Sequence, residues 1–271
     1  MEKYAQSPLT KGLSPDGPAF RLRLPKPSWW RRPGVWIAPL LFILGVLIAL
    51  VTPLVHREHL PPIDDRLPTI VIDAGHGGHD SGAMGNGLVE KTLTLDTALR
   101  LEHQLRLRGY RVVLTRCDDT FLELIERSEV ANALSNPLFV SIHFNDNATT
   151  SGDGVETFYA VQKAGLLPIF SIAEEPSPLF AQCVQAAMVT GLGVTDRGTK
   201  SRQLSVVRHA LCPAVLVEGG FINNPEEARK LALPEYRERI AIAVADGIGD
   251  FQKRRAAPAA SGSLTTVANT R

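Results

Sequence analysis

Between Thr69 and Val217, short apolar runs alternate with longer stretches in which apolar residues recur every three or four positions. Thr69–Asp73, Arg111–Thr115, Leu138–Ile142, Val155–Tyr159 and Ala214–Val217 are short and rich in β-branched or apolar residues, as buried strands are. Glu90–Arg108 places Leu95, Ala98, Leu99 and Leu105 on one face, and Gly109 ends it. Phe121–Leu134 and Ser177–Thr190 read as two further helices. Pro234 opens a fourth, with Ile240, Val244, Ile248 and Phe251 at helical spacing. Alternation of this kind predicts an α/β fold, a sheet covered by helices.

The pattern changes outside this body. Residues 34–55 are uncharged, and the 21 residues Val35–Val55 match the length of a transmembrane helix. Trp29, Trp30 and Trp36 stand near its start, where indoles favour a membrane interface. Residues 1–33 hold seven Lys/Arg against two acids, +5, so the remaining 22 Lys/Arg and 26 acids leave −4. The basic tail predicts a cytoplasmic N-terminus with the body on the other side. A cleaved signal peptide is the rival; the length of the segment and the lack of an Ala-x-Ala site favour a retained anchor. Residues 56–68, with Pro61, Pro62 and Pro68, read as a linker, 69–253 as the body and 254–271 as a disordered tail.

Several function classes are excluded early. No basic stripe interleaved with aromatics marks a nucleic-acid partner. The chain has no Gly-x-Ser-x-Gly elbow and no phosphate loop, and Gly75-His76-Gly77-Gly78-His79-Asp80 lacks the last glycine of a dinucleotide fingerprint. Cys117, Cys183 and Cys212 lack Cys-x-x-Cys spacing, which argues against a thiolate zinc cluster and leaves one disulfide or buried free thiols open.

Three stretches carry candidate chemistry: Asp73-Ala74-Gly75-His76-Gly77-Gly78, Ser141-Ile142-His143-Phe144-Asn145 and Val217-Glu218-Gly219-Gly220-Phe221, with Glu90 between the first two. Two histidines and a carboxylate can hold one zinc and leave a fourth position open, the ligand set of a catalytic site. A further glutamate is then available as a base. His76 follows the first strand, His143 ends the third, and Glu218 ends the strand at 214–217, all at the carboxyl ends where open α/β sheets bind ligands. Asp73 and Asn145 are candidates for hydrogen bonds that fix the imidazole tautomers, or for contacts to substrate. His79 reads as surface loop, and Arg116, Arg127, Asn132 and Arg208 as structural hydrogen-bonders.

Thr69–Phe251 resembles the zinc-dependent N-acetylmuramoyl-L-alanine amidases that cut bacterial peptidoglycan. The resemblance rests on ordered blocks: Val71 to Gly78, Asp80-Ser81-Gly82-Ala83, Glu90-Lys91, Leu114-Thr115-Arg116, Arg127 with Ala131-Asn132, Phe139 to Asn145, and Pro213 to Glu226. Phe144 stands where a small residue is usual, and Ser81 where proline is common. The resemblance implies a mixed, mostly parallel sheet of about six strands flanked by helices, here preceded by one transmembrane helix.

It also implies one zinc per chain held by His76, Glu90 and His143, with Glu218 as catalytic base. The bond cut would be the amide between N-acetylmuramic acid and L-alanine. The alternatives are a zinc peptidase or amidase on another wall-derived amide, and a non-catalytic envelope binding protein. Peptidoglycan is the expected partner, and no activator is legible. The expected location is the bacterial inner membrane, single-pass, with the catalytic domain periplasmic or extracytoplasmic. Regulated relatives carry an inhibitory helix in an insertion; the short stretch Ala160–Pro178 predicts an open cleft or a small lid of Leu166, Leu167, Ile169 and Phe170.

Overall fold

The computed structural model describes residues 60–146, 151–161 and 176–256, together with residues 37, 39–44 and 46. The chain divides into two units, Met1–His59 and Leu60–Arg271.

In the second unit the apolar runs become strands and the periodic stretches become helices. The strands are β1 (Thr69–Ala74), β2 (Met84–Gly85), β3 (Leu88–Val89), β4 (Val112–Leu114), β5 (Pro137–Asn145), β6 (Val155–Tyr159), β7 (Asp196–Ser201) and β8 (Ala214–Phe221). The helices are α1 (Glu90–Leu107), α2 (Leu124–Asn132), α3 (Ser177–Leu192), α4 (Ser205–Arg208), α5 (Pro225–Leu231) and α6 (Pro234–Ala256). Six strands form one sheet in the order β4-β1-β5-β8-β6-β7. All neighbours run parallel except β6, which is antiparallel to β8. The mixed, mostly parallel sheet agrees with the expectation.

Side chains alternate across the sheet, so each strand feeds two cores. Ile70, Ile72, Val140, Ile142, Val215 and Val217 pack on one face with α1, α3 and α6. Val71, Phe139, Phe158 and Leu216 pack on the other with Ala131 of α2 and Val206 and Val207 of α4. Each such aliphatic chain, buried fully, contributes about 1.5–3 kcal/mol. On the first face Phe180 and Phe251 stack with centroids 4.7 Å apart. There α6 comes so close to α3 that a Cβ on Gly247 would lie 2.6 Å from the Cα of Val184.

Several segments depart from the expected boundaries. β7, Asp-Arg-Gly-Thr-Lys-Ser, has no apolar alternation; it is an edge strand, half-exposed along most of its length and paired with β6. The β2–β3 hairpin turns through Asn86 and Gly87 at φ 51 and 79 and leads directly into α1. α2 begins at Leu124 rather than Phe121, where the Glu123 N–H donates to Glu126 Oε2 at 2.9 Å. Part of the expected linker is tied to the body, since the Asp64 N–H donates to Gly109 O at 2.9 Å. α6 runs on to Ala256, and residues 257–271 lie outside the described residues.

The transmembrane helix expected over 34–55 is corrected. Among the described residues, no helix is long and apolar enough to cross a membrane. Of that stretch residues 37, 39–44 and 46 are described, as helix, and the rest lies outside the described residues. The single-pass inner-membrane location and the membrane partner fall with it.

Candidate metal centre and active site

β1 ends at Ala74, and the chain turns sharply through Gly75 into His76, whose φ of 61 is unusual for a residue with a Cβ. Side chains of the neighbouring segments hold this turn. Arg116 donates from Nε to Ala74 O at 2.9 Å and from Nη2 to Gly75 O at 2.8 Å. Arg127 donates from Nη1 to Ala74 O and from Nη2 to His76 O, both at 2.8 Å. Gly75 has a steric reason as well: a Cβ there would fall 2.3 Å from Nε2 of His143. The imidazole of His143 lies directly against the bare backbone.

Glu90, at the first position of α1, joins the two histidines. Its Oε2 is 3.0 Å from Nε2 of His76, and its Oε1 is 2.9 Å from Nδ1 of His143. Backbone N–H groups fix the carboxylate further: Ala83 donates to Oε2 at 2.8 Å and Phe144 to Oε1 at 3.1 Å. Donor atoms of His76, Glu90 and His143 all lie within 4.8 Å of one another. Zinc ligands at about 2.0–2.1 Å in a tetrahedron lie roughly 3.3 Å apart, so this cluster is of the right size. Two imidazole nitrogens and a carboxylate oxygen are also a donor set that suits zinc.

The electrostatics of the cluster follow from its burial. Burial pushes the Glu90 carboxyl up, but hydrogen bonds and charge from His143 and His76 outweigh it and hold it well below the usual carboxylate range. Burial pulls His76 down, yet Glu90 and then Asp80 raise it on balance. Asp80 takes the far side of the ring, with Oδ2 2.8 Å from Nδ1 of His76.

Glu218 stands next in the sheet. It is the register partner of His143 across β5–β8 and of Glu156 across β6–β8. Its Oε2 is buried and has no hydrogen-bond partner among the described residues. Burial, and then the charges of Glu90 and Glu156, push its carboxyl well above the usual range. His76, Glu90, His143 and Glu218 all line one cleft of about 590 Å³, with Leu124, Leu204, Val206 and Leu216 among its apolar lining residues.

The two residues expected to orient imidazoles make other hydrogen bonds, although Asn145 lines the cleft. Asp73 is fully buried under the turn, where it accepts from Arg127 Nη1 at 2.9 Å, Thr115 Oγ1 at 2.8 Å and Ser141 Oγ at 2.6 Å. Asn145 donates from Nδ2 to Glu156 Oε1 at 2.6 Å. Asp80 fills the orienting position instead, and its signal was a carboxylate four residues after the histidine. Glu156 also went unread; Asn145, Arg197 and Lys200 surround its buried carboxylate.

Phe144 is among the residues that line the cleft. It is buried in the core against Gly219, where a Cβ would come within 2.9 Å of its ring. His79 is exposed and packs on Phe121, with ring centroids 4.1 Å apart. The three cysteines are free thiols. The proposed lid residues Leu166, Leu167, Ile169 and Phe170 lie outside the described residues.

Residues 70–250 match the family described as N-acetylmuramoyl-L-alanine amidase. This chain belongs to the N-acetylmuramoyl-L-alanine amidase family. It is 37% identical over 211 residues to the amidase LytC of Bacillus subtilis (strain 168), a match that covers 78% of this chain but only 40% of LytC. It is 39% identical over 190 residues to the uncharacterized protein YqiI of the same organism, covering 70% of this chain and 86% of YqiI. Among solved structures, it is similar to the catalytic domain of CwlV, an N-acetylmuramoyl-L-alanine amidase from Bacillus (Paenibacillus) polymyxa var. colistinus. That likeness has a TM-score of 0.61 at 38% identity and covers 69% of this chain and 99% of the other.

Proposed function

We propose that the chain hydrolyses the amide bond between N-acetylmuramic acid and L-alanine in peptidoglycan. In this reading one zinc ion is held by His76, Glu90 and His143, and Glu218 is the catalytic base. The observation that carries it is the meeting, in one cleft, of that three-donor cluster and a buried carboxyl with an unpartnered oxygen. Family membership supports the choice of bond.

Zinc bound there would supply Lewis acidity toward the amide carbonyl and toward water. The protein's own groups do the rest. Glu90 and Asp80 hold the His76 ring from both sides, and Glu90 also holds His143, so the donors are fixed before any ligand arrives. Glu218 takes a proton from the attacking water. As the C–N bond breaks, it passes that proton to the departing alanine nitrogen. The products are a muramyl carboxylate and a peptide with a free amine. Burial raises the proton affinity of Glu218, which favours its taking a proton from water.

The test is mass analysis of peptidoglycan digested with the full chain, with and without a chelator. The expected products are peptide-free glycan and peptides with an N-terminal alanine, both lost on chelation. Cuts within the peptides would point to a peptidase on another wall-derived amide, and no release would point to a binding protein.

A further inference from the structure

The basic residues of β7 and its C-terminal flank have no part in the reaction as drawn; none of them lines the cleft, but β7 lies two strands from the strand of Glu218, with β6 between. Leu216, which lines the cleft, is the register partner of Phe158 across β8–β6, two residues along from the Glu218–Glu156 pair. Phe158 is in turn the register partner of Lys200 across β6–β7. Lys200 Nζ lies 5.8 Å from the Phe158 ring centroid, and Arg202 Cζ lies 5.5 Å from it. Two cationic side chains thus gather on one aromatic ring of the sheet face that carries Glu218. Two residues along a strand span about 7 Å and neighbouring strands lie about 4.8 Å apart, so the distance from Glu218 is that of a short peptide.

The charges do not cancel. Lys200 and Arg197 share the single carboxylate of Glu156. Arg202 is exposed and, among the described residues, pairs with no carboxylate. Lys200 and Arg202 are therefore cations near a cleft whose own lining holds Glu90, Asp146 and Glu218 and no Lys or Arg.

We propose that Lys200 and Arg202 bind carboxylates of the substrate's peptide, so that the peptide leads from Glu218 toward the β7 edge of the sheet. The inference rests on the amidase reading and deepens it. The muramyl carboxyl is consumed in the amide, so no carboxylate remains there, whereas a peptide always ends in one. Specificity follows: a peptide with free carboxylates is preferred over its amidated counterpart.

The experiment is calorimetric binding of L-alanyl-D-glutamate and of its diamide to the full chain, which needs no turnover. The wild type should bind the acid about five- to tenfold more tightly than the diamide. Arg202→Gln and Lys200→Gln should each lower that ratio, the double variant should bring it close to one, and Arg202→Lys should keep most of it. Failure of the acid to bind, an equal affinity for both compounds, or full discrimination by Arg202→Gln would overturn the proposal. Failure of the wild type to cleave peptidoglycan would instead count against the amidase reading, so the two are separable.

Discussion

His143 and Glu218 are register partners across the parallel β5–β8 ladder. In the proposed reading His143 would hold a metal and Glu218 would move a proton, and their spacing is set by backbone hydrogen bonds rather than by loops. A site built on central strands keeps its geometry through side-chain changes that spare the ladder. The predictions below separate what each nearby group contributes.

The metal donors come first. The chain should bind one zinc with nitrogen and oxygen ligands at about 2.0–2.2 Å and no sulfur at about 2.3 Å. X-ray absorption reads both distances. His76→Ala and His143→Ala should each lose the metal, whereas His79→Ala, which removes a ring packed on Phe121, should keep it.

Asp80 should act through His76. Asp80→Ala removes the partner of Nδ1 while leaving all three donors in place, and zinc affinity should fall about 10- to 100-fold. A competitive chelator titration measures this. An unchanged affinity would show that the contact is incidental.

Asp73 should behave differently. It is fully buried and paired with Arg127. Asp73→Ala leaves that guanidinium buried beneath the His76 turn without its counter-charge, which costs about 3–5 kcal/mol. Denaturant unfolding should show that loss, in contrast to Asp80→Ala, which should unfold close to the wild type.

Much of this was legible in the sequence, for physical reasons. Buried strands such as β1, β5 and β8 announce themselves because both faces must be apolar. β7 did not, because an edge strand with half-exposed residues needs only its ladder to β6. The β2–β3 hairpin carried a readable Asn86-Gly87 signal that the longer periodic patterns overshadowed. His76, Glu90, His143 and Glu218 were named from their motifs, and the structure brings all four to one cleft. Asp73 and Asn145 do not reach the imidazoles, because nearness in sequence to a histidine does not fix direction, although Asn145 lines the cleft. In β5 the contacts of Asn145 run across the sheet to Glu156, away from the His143 ring.

The thiols give an independent check on burial. Cys117 is exposed, whereas burial pushes Cys212 up to about 12 and raises Cys183 as well. A thiol with its pKa raised stays protonated until the pH nears that value, so at pH 8 Cys212 holds almost no thiolate. Iodoacetamide at pH 8 should label Cys117 in the native protein and the other two only after unfolding. Peptide mass mapping reads the result, and early labelling of Cys212 would show that its segment opens.

The most direct test of the central claim is zinc content and turnover measured together on Glu218→Gln. The amide keeps the size of the side chain but removes its capacity to accept a proton. The account predicts one zinc per chain, as in the wild type, with turnover on peptidoglycan reduced by about two to four orders of magnitude. Loss of the metal would make Glu218 a ligand, and near-wild-type turnover would remove it from the reaction; either result contradicts the account.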